Sequence, residues 1–128
     1  MKKVFSIFIL LTLTTILNAS MLKYASSYEE AIALGKKENK NILLYTYSEY
    51  CPWCTKMQKT TFKNETVINY INKNYILAKV DINNDTFPLR FKPNGVPTTY
   101  IINSITENKL ISMRGYKSPK SFYNRIKE

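Results

Sequence analysis

Cys51 and Cys54 are the two cysteines of this chain, three positions apart in "SEYCPWCTKM", with Pro52 and Trp53 between them. Two thiols at this spacing can hold a metal, attach a haem, staple a loop or pass electrons as a dithiol and disulfide. A closed zinc site needs four Cys or His ligands, and the chain has no histidine. Covalent haem attachment needs a histidine directly after the second cysteine, where Thr55 stands. The residues therefore call for no metal and no cofactor. A purely structural disulfide stays open as an alternative, although closing so small a loop removes little entropy from the unfolded chain.

The position of the pair favours reactivity. The first cysteine falls where a strand gives way to a helix, and the unpaired amides and positive dipole end of a helix stabilise a thiolate over a thiol. A free thiol titrates near about 8.5, and this setting lowers it. Cys51 is thus the expected nucleophile. Cys54, one turn later, is placed to attack the mixed disulfide that Cys51 forms with a substrate and so release it. Pro52 stiffens the turn, and Trp53 offers either an aromatic surface beside the sulfurs or a packing residue beneath the loop. Lys56, Lys59 and Lys63 share a helical spacing, which suits a solvated face that favours the thiolate weakly.

The elements that must position these groups can be read along the chain. "SSYEEAIALGKKENK" carries Ser27 and Glu30 at capping-box spacing, followed by an apolar face of Tyr28, Ala31, Ile32 and Leu34, so a first helix should end near Asn39. "NILLYTY", residues 41–47, suits a strand buried on both faces. A helix begins at the cysteines, and a second piece, "NETVINYINKN", has Asn64 as its cap and Val67, Ile68 and Ile71 facing inward. Residues 75–82 return to strand character, which gives a right-handed crossover to a parallel neighbour. "NNDTFPLRFKPNG" reads as turn and short helix, "VPTTYIIN" and "KLISMRGY" as two strands joined by "SITEN". A last helix is capped by Ser118, with Pro119 at its first position. The order is α-β-α-β-(short α)-β-β-α, an α/β domain with a central mixed β-sheet flanked by helices.

Residues 1–20, "MKKVFSIFILLTLTTILNAS", have the layout of a signal peptide: two lysines, an uncharged run from Val4 to Leu17, then small residues. A membrane anchor would want roughly 20 apolar residues, and this run is shorter and diluted by Ser6, Thr12, Thr14 and Thr15. The domain at 21–128 is therefore expected to be periplasmic or otherwise exported, with no membrane span after cleavage. Disulfides form and persist in such compartments. Loss of Lys2 and Lys3 takes the formal charge from +10 to +8. The lysines are scattered and no arginine cluster is present, which argues against nucleic acid as a partner. A monomer is the simplest expectation.

With these residues in place, the chain resembles the thioredoxin-fold family. The resemblance runs through "LLYTYSEYCPWCTKMQKTTF", "AKVDINND", "GVPTTYIIN" and the glycine of "RGY". It implies that Pro97 follows a cis peptide bond and lies against the cysteines, and that Val96 offers its backbone to an extended substrate. Tyr50 and Trp53 join them as substrate-facing residues. The closest flavour is that of exported thioredoxin-related, SoxW-like proteins, in which Met57, Thr61 and Phe62 match structural positions. One departure stands out. Thioredoxin's buried aspartate on the strand before the cysteines is matched by Tyr45, while the strand lysine is matched by Lys79. Proton transfer is then left to water or Glu49.

The resemblance implies a protein thiol-disulfide oxidoreductase, reducing exported clients and recharged by a membrane thiol electron donor. A DsbA-like oxidant is the alternative. Such oxidases carry a helical domain ahead of the cis proline, and residues 82–96 leave no room for one. A redox-inactive binding module on the same scaffold is the third reading.

Overall fold

The computed structural model describes residues 20–128. The expected signal peptide lies outside them, apart from Ser20. Among the described residues four helices surround one four-stranded sheet: α1 (Tyr28–Glu38), β1 (Asn41–Tyr47), α2 (Pro52–Lys59), α3 (Glu65–Asn74), β2 (Tyr75–Asp81), β3 (Thr98–Ile102), β4 (Lys109–Arg114) and α4 (Pro119–Ile126), with single 3-10 turns at Thr61–Lys63 and Leu89–Phe91. The strand order is β2-β1-β3-β4. β1 runs parallel to β2 and antiparallel to β3, which in turn pairs antiparallel with β4.

Local chemistry sets the boundaries. Ser27, Asn64 and Ser118 each cap a helix by accepting a backbone N–H three residues on. Glu30 departs from a simple capping box, since its carboxylate reaches back to the backbone and hydroxyl of Ser26. Asn39 ends α1 in the left-handed conformation, with φ 53. The expected short helix after β2 is one 3-10 turn, and the last two strands are shorter than their sequence stretches, because the segments at Gly95–Pro97 and Gly115 turn away from the ladder.

β1 is the spine of the molecule. Ile42 and Leu44 point into one core with Tyr28, Ala31, Phe91 and Tyr100. Leu43 and Tyr45 point into the other with Met57, Phe62, Val67, Ile71 and Phe122. That alternation explains why "NILLYTY" has no polar face. Helix α1 covers the first core, and α2, α3 and α4 pack over the second.

At Gly35, α1 comes so close to the sheet that an added Cβ would lie 2.7 Å from Ile42 Cδ1 and from Ser104 Cβ and 2.8 Å from the Lys40 carbonyl oxygen. Gly35→Ala should cost about 1–3 kcal/mol from overpacking, although alanine favours helix elsewhere. A urea midpoint unchanged or raised would contradict this close approach.

Candidate active site

The chain leaves β1 at Tyr47, turns through residues 48–50 and enters α2 at Cys51. Cys51 is the helix N-cap, in extended conformation (φ −113, ψ 103), and its Sγ accepts the Cys54 backbone N–H at 3.1 Å. Pro52 occupies the first helical position, where the missing donor costs nothing. The two cysteines are joined as a disulfide with their Cα atoms 5.2 Å apart. Exposure separates their roles: Cys51 is 8% exposed and Cys54 1%, so an incoming group meets Cys51 first.

Opposite Cys51 lies the loop before β3. The Val96–Pro97 peptide bond is cis. Val96's carbonyl oxygen is 3.6 Å from Cys51 Sγ. A disulfide sulfur has no proton, so this is a contact in the oxidised protein and a donor-acceptor geometry only for a thiol. Three hydrogen bonds hold the loop. Thr98 Oγ1 donates to the Gly95 carbonyl at 2.7 Å, Thr46 Oγ1 to the Thr98 carbonyl at 2.6 Å, and the Gly115 N–H to the Pro97 carbonyl at 2.7 Å. Gly115 makes its bond from a left-handed conformation with φ +77, which favours glycine.

Beside the sulfurs runs a shallow groove of about 350 Å³, lined by Trp53, Val96, Pro97, Gly115 and Tyr116. Trp53 is thus a wall of the groove, 56% exposed, and not a packing residue. Tyr50 is not part of that wall. It precedes the N-cap on the turn and is 91% exposed. The structure brings Cys51, Cys54, Trp53, Val96 and Pro97 together, with Tyr50 exposed on the turn next to Cys51. A larger concavity of about 690 Å³ sits at the far end of α2, among Lys59, Phe62, Lys63 and Lys79, and neither cysteine lines it.

Beneath the site, Tyr45 is fully buried and its hydroxyl donates to the Cys54 carbonyl at 3.2 Å. Burial pushes this hydroxyl up to about 12, with Gln58 acting the other way. It stays protonated at neutral pH and cannot take a proton from Cys54. Lys79, beside Tyr45 in the sheet register, places its Nζ 4.4 Å from the centre of the Tyr24 ring. Met57, Thr61 and Phe62 are buried supports. Among the described residues no group of three or more acids and cysteines could hold a metal.

Sequence reasoning missed Tyr116. Its ring centre is 5.7 Å from that of Trp53. The available signal was its place directly after the glycine that bonds the Pro97 loop. Spacing alone puts Lys56 with Lys59 and Lys63 on a solvated face that favours the thiolate weakly. The Lys56 Nζ in fact lies 5.0 Å from the Trp53 ring centre and 4.9 Å from that of Tyr116.

A four-stranded mixed sheet, a disulfide at the N-terminus of the second helix and a cis-proline loop facing it define a thioredoxin-fold protein. Solved structures agree in fold. A DsbH oxidoreductase superposes with a TM-score of 0.69 at 21% identity, over 85% of this chain and 84% of that one. A thioredoxin from Thermus thermophilus gives 0.71 at 21% identity, over 84% and 85%. A putative disulphide-isomerase from Bacteroides thetaiotaomicron gives 0.72 at 20% identity, over 85% and 93%. The family model Thioredox_DsbH, described as a protein of unknown function, DUF255, matches residues 16–87. That is more than half of the sequence, and the chain belongs to this family. Spermatogenesis-associated protein 20 of Mus musculus is 40% identical over 53 residues, 41% of this chain and 7% of that protein. The uncharacterized protein B0495.5 of Caenorhabditis elegans is 38% identical over the same length, with the same shares. The chain thus spans under a tenth of these curated relatives.

Proposed function

We propose that this protein is an exported thiol-disulfide oxidoreductase that reduces disulfides of protein clients. The observation that carries the reading is the meeting of an N-cap sulfur, bonded to a helix amide, with a proline loop that leaves a groove for an extended chain. In the reduced protein, the Cys51 thiolate attacks one sulfur of a client disulfide. The client S–S bond breaks, one client thiolate departs, and a mixed disulfide forms on Cys51. Cys54 then gives its proton to water and attacks Cys51 Sγ, which expels the second client thiolate and closes the Cys51–Cys54 disulfide. Two electrons pass to the client, and a membrane thiol donor outside the cytosol restores the dithiol. Glu49 lies exposed on the turn before Cys51, open to solvent. With Tyr45 held protonated, water is the acceptor this reading uses.

Export rests on residues 1–20 acting as a cleaved signal peptide, and N-terminal sequencing of the protein from an exporting host tests it. Among the described residues no helix is long and apolar enough to cross a membrane.

The direction of electron flow is tested by the reduction potential of the pair, equilibrated against glutathione or dithiothreitol. A value near about −270 mV supports reduction, and one near about −120 mV supports a DsbA-like oxidant. Reduction of insulin disulfides by the dithiol form is the matching activity assay.

A further inference from the structure

Lys56 stands apart from Lys59, the other lysine of α2, and from Lys63 in the turn that follows. Its ammonium lies about equally far from two ring faces, 5.0 Å from Trp53 and 4.9 Å from Tyr116, and both rings line the groove beside the disulfide. Thr60, one turn further along, meets the Tyr116 hydroxyl at 3.2 Å. Trp53, Lys56 and Thr60 fall on one helix face at spacings of three and four, so this ladder seats Tyr116 against α2. The ring faces attract the cation and restrict a side chain that is otherwise among the most flexible.

No lysine among the described residues is paired with an acid, Lys56 included. The ion pairs among the described residues are Arg90–Glu107 and Arg125–Glu128, and neither involves Lys56. No acidic residue lines the groove. An ammonium contacts a ring with its face and keeps donor directions free, and a cation already held in place loses less freedom when it pairs. The plain alternative is a solvated lysine whose stem covers apolar surface. It accounts for an exposed amine; here the amine also rests against both aromatic rings of the groove wall, although Lys56 does not itself line the groove.

We propose that Lys56 makes the groove select client segments that carry a carboxylate close to the disulfide cysteine. The claim builds on the oxidoreductase reading and adds a substrate class to it: acidic cystine peptides over neutral ones, and neutral over basic. Trp53 and Tyr116 supply the apolar contact, and Lys56 supplies the sign.

The test uses three peptide disulfides that differ only in an Asp, Asn or Lys flanking the cysteine, and their cysteine-free counterparts. Trp53 is the only tryptophan of the chain, so its fluorescence reports occupancy of the groove directly. For the wild type, kcat/KM and binding should follow Asp over Asn over Lys, with about twofold to fivefold between Asp and Asn at low salt. The gap should sit in KM and shrink as salt is added. Lys56→Met should bring the three peptides to one value, and Lys56→Arg should restore the order. An order absent in the wild type, or retained in Lys56→Met, overturns the proposal. So does an equal fall for all three peptides with their ratios kept, since Lys56 would then only prop the wall. Binding in the stated order without turnover would sink the oxidoreductase reading instead, and turnover without order would sink this one.

Discussion

In a Cys54→Ser variant, clients should accumulate as mixed disulfides on Cys51, while Cys51→Ser should capture none and reduce insulin no faster than the uncatalysed background. The asymmetry follows from burial and bonding. Cys51 is the sulfur an incoming disulfide can meet, and Cys54 is 1% exposed behind it. Once Cys51 is joined to a client, release depends on attack by the neighbouring sulfur one helical turn away. Serine at 54 removes that attack and leaves the first step intact, because the amide that supports the Cys51 sulfur belongs to the backbone of residue 54. Non-reducing gels of the two variants, expressed in an exporting host, read the result. Empty lanes for Cys54→Ser would favour a scaffold that binds partners with its disulfide locked.

Phe62→Ala should cost about 3–5 kcal/mol of folding stability. Phe62 is 4% exposed and stands between two other rings, edge-on to Tyr45 at 4.8 Å and 79° and to Phe122 at 5.5 Å and 83°. This three-ring column joins β1 to α4, and its Tyr45 end holds the Cys54 carbonyl. Aromatic pairs of this kind add about 0.5–1.5 kcal/mol beyond the area they bury. Against a total stability of about 5–15 kcal/mol the loss is severe, with a melting point lower by on the order of 15 °C or more. Urea titration with an unchanged slope and a much lower midpoint is the expected outcome. A loss under about 1 kcal/mol would mean that the column does not tie β1 to α4.

Much of this architecture was legible because single residues announce it. Ser27, Asn64 and Ser118 are caps by their side-chain chemistry, and all three accept the hydrogen bonds that role requires. "NILLYTY" reads as a doubly buried strand because its apolar and aromatic residues run consecutively from Ile42 to Tyr45 with no alternating polar face. The cysteine pair was legible from spacing and from Pro52, whereas Val96 and Pro97 were placed by resemblance, since no local rule brings residue 97 to residue 51. Tyr50 was legible only as a neighbour of Cys51: a residue just ahead of an N-cap lies outside the helix, and here the turn holds it 91% exposed beside the sulfur. The three lysines looked alike on an ideal helix. α2 ends at Lys59 and a 3-10 turn follows, so Lys63 leaves the shared face, while Lys56 is singled out by Tyr116, sixty positions further along the chain. That meeting is a product of tertiary packing and has no signature in local periodicity.

The central claim is that the α2 N-terminus makes Cys51 an activated thiolate. The direct measurement is the rate of Cys51 alkylation by iodoacetamide in the fully reduced protein as a function of pH, with Cys51→Ser as the blank. The account predicts one titration step at least about one pH unit below the free-thiol value near about 8.5. A midpoint at or above that value would show a sulfur that the helix does not activate, and would contradict the account.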